Sequence, residues 1–135
     1  MAETIELEIV TPERQVVKDR ATEIQIPGRN GYLGILPGHA PLITELAIGE
    51  IVYTNDSGES TRLSVAWGFA EVLPDKVTIL AETAERAEDI DVPRTEAERD
   101  RAQERLKLAE DTAQFEEALN ELARAESRLT IAKEK

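Results

Sequence analysis

In the first two thirds of the chain, hydrophobic and polar residues alternate in short segments. The segment 5–10 alternates isoleucine and leucine with glutamate, a period of two that is typical of a half-buried β-strand. Later segments predicted as strands are 22–26, 48–54, 63–67, 69–73 and 77–81. Turn-forming sequences separate them, and Asn-Asp-Ser-Gly at 55–58 favours a hairpin. Residues 1–84 are therefore predicted to form an all-β domain, an antiparallel sandwich or barrel.

After residue 85 the hydrophobic period becomes that of α-helices. Asp91 is predicted to cap a first helix with Pro93 in its first turn, where the backbone N–H groups have no intrahelical partner. Asp111 and Gln114 have the spacing of a capping box and predict the start of a second helix. The predicted apolar stripes are Ala102, Leu106 and Ala109 on the first helix, and Phe115, Ala118, Leu119, Leu122, Ala125, Leu129 and Ala132 on the second.

Two helices joined by so short a turn are predicted to form an antiparallel hairpin over residues 85–135. Alanine predominates on the facing stripes, so the helices can lie close together while each buries little apolar area. We therefore expect the hairpin to open more easily than the sandwich unfolds, and to be an element that can move.

The stretch 26–42, IPGRNGYLGILPGHAPL, has an unusual backbone chemistry. It holds four of the seven glycines, three of the six prolines and the single histidine, His39. Glycine permits positive φ and proline fixes φ, so the shape of this stretch is set by its backbone. Apolar residues such as Tyr32 and Leu42 lie among them. The stretch is therefore predicted to be a structured surface loop with a short strand inside it, where a partner docks.

Composition narrows the class of function. The net charge of −12, from 28 acidic and 16 basic residues, argues against nucleic acid and against direct adsorption to anionic lipid. There is no cysteine, and so no disulfide framework and no thiolate metal site. No apolar run is long enough to span a membrane, and the N-terminal segment has no export signal. These features favour a cytoplasmic protein, and the acidic charge fits either a partner protein with a basic face or a surface kept acidic for solubility.

No residue pattern indicates a catalytic or metal site. The glycines at 28, 31 and 34 match neither a dinucleotide fingerprint nor a P-loop, and no nucleophile elbow is present. His39 is predicted to be either a turn histidine bonded to nearby backbone or an interface contact. Trp67 is predicted to be a core residue, with a ligand platform as the alternative. Arg124 and Arg128 lie four residues apart on the second helix, and Glu121 is predicted to relieve part of the repulsion between them. The two arginines form either a solvated salt-bridged face or an anion site shared with the first helix.

Four motifs in order give a resemblance over essentially the full length. They are GYLGILPGHAPL at 31–42, WGFAEV at 67–72, VTILA at 77–81 and ERAEDID at 85–91. Together they resemble the epsilon subunits of bacterial and chloroplast F-type ATP synthases, with Trp67 where that family usually has glycine. The resemblance implies an α+β chain, an N-terminal antiparallel β-sandwich of about ten strands followed by a C-terminal two-helix antiparallel hairpin.

The resemblance also implies partners. The sandwich is expected to bind the gamma subunit and to rest on the membrane ring of c subunits. Residues in positions that face this ring are Tyr32, Gly38, His39, Ala40, Pro41 and Leu42. The hairpin is expected to lie folded or to extend into the αβ hexamer, where it blocks rotation and inhibits ATP hydrolysis. Such a subunit is non-catalytic, requires no cofactor or metal, and lies peripherally on the cytoplasmic face of the inner membrane, or on the thylakoid membrane in a plastid.

Some bacterial members of the family bind ATP through the motif Ile/Leu-Asp-x-x-Arg-Ala and arginines of the second helix. The residues at matching positions are Glu85, Ile90, Asp91, Arg94, Arg124 and Arg128, which makes ATP a candidate regulatory ligand. Thr95 replaces the motif's alanine, and Pro93 stiffens the segment. Two other functions are weighed against a synthase subunit: a free-standing sandwich that binds another protein through its helical tail, and a stand-alone ATP sensor.

Overall fold

The computed structural model describes residues 3–133, and the strand-forming part of the chain folds into seven β-strands. They are β1 (Ile5–Val10), β2 (Gln15–Gly28), β3 (Gly31–Ile35), β4 (Leu42–Leu46), β5 (Gly49–Asn55), β6 (Ser60–Val72) and β7 (Lys76–Arg86). A single 3₁₀ turn (Ala87–Asp89) leads to the helices α1 (Val92–Leu108) and α2 (Thr112–Lys133). The described residues cluster in two compact units that divide between Glu85 and Arg86.

The β-sandwich is confirmed, but the expected count of about ten strands is wrong. Two long strands each serve both layers of the sandwich. The first part of β2 pairs with β1 and its second part pairs with β3 and β5. Strand β6 pairs with β5 through residues 60–65 and with β4 through residues 68–72. A continuous strand that passes from one layer to the other is one element, so the number of strands falls to seven.

The sandwich was expected to be antiparallel throughout, but one of its strand pairs is parallel. Strand β1 pairs antiparallel with β2 and parallel with β7, with Leu7 opposite Val77 and Ile9 opposite Ile79. The remaining registered pairings are antiparallel. The side chains of Ile5, Leu7 and Ile9 are fully buried, as their alternation predicts. Other residues of this core include Ile24, Ile26, Ile51, Leu63, Val65, Val72 and Ile79.

Trp67 lies outside the core, contrary to the prediction from its phase with Leu63 and Val65. Its φ is +55° and that of Gly68 is +123°, so the chain turns at the point where β6 changes layer. Residues 63–66 before this turn are all buried, but the core residues among them are Leu63 and Val65, and beyond the turn the core residues are Ala70 and Val72, one position out of phase. The turn places Trp67 at the surface, with 38% of the residue exposed.

The helical unit is an antiparallel hairpin, because residues early in α1 contact residues late in α2. Three alanines fill the centre of the contact: Ala102 and Ala118 are fully buried and Ala125 nearly so. Phe115 and Leu119, predicted on the apolar stripe, remain 47% and 44% exposed. The small central side chains bring the helices close together, which leaves these larger side chains at the margin of the contact.

Both helix starts follow their predicted caps. Asp91 precedes α1 and its carboxylate accepts a hydrogen bond from the Arg94 N–H at 3.2 Å. At α2 the Asp111 carboxylate accepts from the Gln114 N–H at 2.8 Å. The Gln114 amide oxygen in turn accepts the N–H of Glu110 at 2.9 Å. In the usual capping box this donor is the N–H of the cap residue itself, here Asp111, so the donor in this structure is one residue earlier.

Candidate functional site

The loop between β3 and β4, residues 36–41, is fixed by backbone hydrogen bonds. The Gly38 N–H donates to the Pro74 carbonyl at 2.8 Å, which ties the loop to the turn between β6 and β7. The His39 N–H donates to the Leu36 carbonyl at 3.1 Å and closes the loop on itself. A loop whose backbone is held at two points has less backbone freedom to lose, so a partner that binds it orders fewer additional groups.

His39 bonds to its own backbone neighbourhood. Its Nδ1 lies 2.6 Å from the carbonyl oxygen of Ala40, which can only accept, so Nδ1 carries the proton in this geometry. This is the first of the two alternatives that the sequence left open for His39. The ring is half-buried, while Gly38, Ala40 and Pro41 beside it are exposed and Leu42 is half-buried.

Tyr32 is held at its hydroxyl although 52% of the residue is exposed. The hydroxyl oxygen accepts the backbone N–H of Glu50 at 3.2 Å, at the start of β5. Gly49 permits this approach, because a Cβ at that position would lie 2.6 Å from the Tyr32 oxygen. The ring of Tyr32 therefore stands on the surface with both ends fixed.

Around these residues the sandwich exposes several large hydrophobic side chains that sequence reasoning missed. Ile43 on β4 is 71% exposed, and Phe69 on β6 is 52% exposed. Trp67 and Gly68 line an open cleft of about 350 Å³. The ion pair of Arg29 and Glu45, 2.6 Å apart, lies at the same cleft. The alternation could not locate this surface, because the phase shift at Trp67 turns an inward position outward.

In the helical unit, the two departures from the nucleotide-binding motif fit the local structure. Pro93 is in the first turn of α1, where its missing N–H costs no hydrogen bond. Thr95 is fully buried, and its hydroxyl donates to the Asp91 carbonyl at 2.8 Å. Ile90, just before the cap, packs with Ile131 and Ala132 of α2. The start of α1 is therefore well ordered with threonine in place of alanine.

The structure brings two of the predicted arginines together around a residue that sequence reasoning missed. Glu98 lies one helical turn after Arg94, and one of its carboxylate oxygens forms an ion pair with Arg94 Nε at 3.3 Å. The other oxygen of Glu98 accepts from Arg128 Nη1 of α2 at 3.0 Å. Arg124, one turn before Arg128, is half-buried. The spacing of four residues from Arg94 was the available signal for Glu98.

Glu85, the remaining predicted residue, lies near the end of β7 in the first compact unit. Glu121 was expected to relieve the repulsion between Arg124 and Arg128. Its carboxylate instead accepts from Arg105 Nη1 at 2.6 Å, which corrects that expectation. Glu117 also bonds to Arg105, at 3.2 Å. Hydrogen bonds to Glu121 first and Glu117 second raise the pKa of Arg105 above its ordinary value.

Within residues 3–133 no cluster of histidine, aspartate or glutamate side chains has the arrangement of a metal site. Over the same residues neither α1 nor α2 has the apolar length that a membrane crossing requires. What the two units offer chemically is a partly apolar exposed surface on the sandwich and a pair of arginines on the hairpin.

Comparison with known proteins accounts for both units. Residues 4–87 match the family described as "ATP synthase, Delta/Epsilon chain, beta-sandwich domain". Residues 88–133 match "ATP synthase, Delta/Epsilon chain, long alpha-helix domain". The chain belongs to the ATP synthase delta/epsilon family, as an epsilon-type subunit of a rotary ATP synthase. This membership argues against a free-standing interaction module and against a sensor that acts alone.

Two relatives illustrate the similarity. The ATP synthase epsilon chain of Koribacter versatilis is 67% identical over 109 residues, which cover 81% of this chain and 76% of that protein. The ATP synthase epsilon chain of Solibacter usitatus is 47% identical over 138 aligned positions, with both proteins covered completely. A chain in the structure of the Euglena gracilis mitochondrial ATP synthase has the same fold, with a TM-score of 0.82 and 23% identity over 96% of this chain and 81% of that chain.

Proposed function

We propose that this chain is a non-catalytic rotor subunit that binds the gamma subunit and the c ring through its sandwich. In this role it lies peripherally at the cytoplasmic face of the coupling membrane and is held there through the complex. The fixed loop 36–41 supports the proposal, because a part that transmits torque must not bend. Its backbone tie from Gly38 to Pro74 is the observation that carries this function.

The contact with the c ring is assigned to Tyr32, Gly38, His39, Ala40, Pro41 and Leu42. Four of these residues are exposed, and the backbone or hydroxyl bonds described above hold their segment in place. Exposed apolar side chains that are grouped on one surface, unlike single scattered ones, are typical of an interaction surface. Trp67 and Ile43 extend the exposed apolar surface on neighbouring strands and are candidates for contact with gamma.

The chain contains no cysteine, so single cysteine substitutions provide a clean cross-linking test in the assembled synthase. Ala40→Cys and Tyr32→Cys should cross-link to the c ring under oxidation when a cysteine is placed in the polar loop of c. Ser57→Cys is the matched control. It lies in the turn after β5, whose other end holds Tyr32, about 20 Å away at the rise of a strand. Equal yields from all three positions would reject the assignment.

We further infer that the hairpin regulates ATP hydrolysis by leaving its folded form and entering the αβ hexamer. Its helices meet through alanine side chains and partly exposed ion pairs, so the folded form has a modest advantage over an open one. Deleting residues 88–135 in the assembled synthase should raise ATP hydrolysis while rotor assembly is retained. Unchanged hydrolysis in an intact complex would contradict the regulatory role.

ATP is proposed as a regulatory ligand of the hairpin. Arg94, Arg124 and Arg128 provide guanidinium groups suited to phosphate, and Ile90 and Asp91 complete the segment. Calorimetry on the full chain at millimolar ATP tests the proposal, with Arg124→Ala and Arg128→Ala expected to weaken binding. Arg101→Ala, which removes an exposed arginine elsewhere on α1, is the control and should bind as the wild type does.

A further inference from the structure

The carboxylate of Glu98 lies between guanidinium groups from both helices. One oxygen lies 3.3 Å from Arg94 Nε of its own helix in an ion pair, and the other accepts a hydrogen bond from Arg128 Nη1 on α2 at 3.0 Å. The Glu98 side chain is 32% exposed and that of Arg128 only 19%, so the second ion pair is partly shielded from water. Glu98 therefore joins the two helices and engages two of the arginines at once.

Carboxylate and phosphate oxygens bind the same guanidinium N–H groups. Arginine recognises both through its planar fork of donors, so one anion at this position excludes the other from the donors it occupies. The guanidinium groups that Glu98 engages belong to Arg94, through an ion pair, and to Arg128, through a hydrogen bond, two of the residues proposed above to contact phosphate. In the folded hairpin the chain thus supplies its own anion to its own candidate ligand site.

We propose that Glu98 is an internal competitor for the regulatory ligand: it holds the arginine pair when no nucleotide is bound, and a polyphosphate must displace it. The proposal rests on the assignment of ATP to this hairpin. Glu98 then lowers the affinity for the ligand, because part of the attraction between ligand and arginines only replaces an existing ion pair. Removing its charge should strengthen binding, whereas removing a structural tie should weaken it.

The exchange also defines the class of ligand. A ligand with a single anionic group gains little when it replaces the Glu98 carboxylate, because its new ion pairs only make up for those that Glu98 loses. A nucleoside triphosphate carries several charges and oxygens, so it can engage Arg94 and Arg128 together and retain further contacts. Arg94 is 76% exposed, which leaves an approach from water to the pair. We therefore expect ATP to bind more tightly than AMP or inorganic phosphate.

The test is calorimetric titration of the full chain with ATP at constant ionic strength, for the wild type, Glu98→Gln and Glu121→Gln. Glutamine keeps the shape of the side chain and removes its charge. Glu121→Gln makes the same change in net charge at another ion pair between the helices, with Arg105, which lies about 10 Å along α1 from Glu98. We expect Glu98→Gln to tighten ATP binding about five- to tenfold and Glu121→Gln to change it less than about twofold.

The helical circular dichroism of each variant shows whether the hairpin has formed. If Glu98→Gln loses helix signal, Glu98→Asp replaces it in the titration. Aspartate keeps the charge but is one methylene too short to reach both arginines, so it should give a smaller gain in affinity.

The outcomes separate the inference from the proposed function. A wild type that binds ATP, with a folded Glu98→Gln variant that binds equally or more weakly, overturns the competition and leaves ATP binding intact. If the wild type shows no ATP binding and the Glu98→Gln variant binds ATP, the result supports the competition and refutes ATP as the natural ligand. If neither folded protein binds at millimolar ATP, both ideas fall.

Discussion

Gly68 lies where β6 changes layer beside β7, and replacing it with alanine should destabilise the sandwich strongly. A Cβ at this position would lie 1.9 Å from the carbonyl oxygen of Leu80 and 2.9 Å from Cα of Ala81. Both neighbours are backbone atoms of β7, which cannot rotate away as a side chain does. The residue also has φ of +123°, a region that is essentially restricted to glycine.

The two effects give the expected magnitude. Forcing alanine into this region of φ costs about 1–3 kcal/mol. Relieving the clash by moving strand backbone adds about 1–3 kcal/mol, the usual range for overpacking. A total loss of about 4 kcal/mol in the free energy of unfolding corresponds to a fall in Tm of about 15–30 °C for a domain of this size.

Thermal unfolding followed by tryptophan fluorescence measures this loss. Trp67 is the single tryptophan and lies in the sandwich, so its emission reports this unit rather than the helices. Gly34→Ala is the control, because a Cβ there would have no heavy atom within 4 Å and its φ is not positive. Gly34→Ala should change Tm by no more than a few degrees. A Tm for Gly68→Ala within about 5 °C of the wild type would refute the clash.

Three further outcomes follow from single contacts. Asp91→Ala removes the carboxylate that accepts the Arg94 N–H at the start of α1, and should cost about 1 kcal/mol of hairpin stability in urea unfolding followed at 222 nm; no change would show that the cap is not formed. Arg105→Gln should lower the helical signal at low salt but much less in molar salt, because screening already weakens the exposed pair with Glu121; an equal loss at both salt concentrations would contradict this origin. Tyr32→Phe leaves the Glu50 N–H without its acceptor and should lower the Tm of the sandwich by about 4–8 °C, for roughly 1 kcal/mol; an unchanged Tm would mean that water replaces the hydroxyl.

The local features of the fold were predictable where neighbouring residues determine them. The alternation at Ile5, Leu7 and Ile9 gave a fully buried strand face. Asp91 and Asp111 marked both helix starts, because a capping side chain bonds to backbone within three residues of itself. Turn residues and helix caps act over such short separations that the sequence alone contains the necessary information.

Longer-range features were not predictable in the same way. The parallel pairing of β1 with β7 joins strands from opposite ends of the sandwich sequence, and no pattern among neighbouring residues predicts it. Trp67 was wrongly predicted to be a core residue. The alternation of buried positions along β6 shifts at Gly68, and this shift depends on how closely β7 passes. Likewise Glu98 is one of 28 acidic residues, and only the packing of α1 on α2 sets it beside Arg128.

The sequence by itself determined the two-part organisation, the β and α character of the parts, and the family motifs at 31–42 and 85–91. These depend on periodicity, caps and backbone chemistry, which act between residues close in the chain. The tertiary structure alone decided which strands share both layers, which apolar side chains reach the surface, and which carboxylate occupies the arginine pair. Each of these depends on the distance between residues far apart in sequence, which is fixed only when the chain packs.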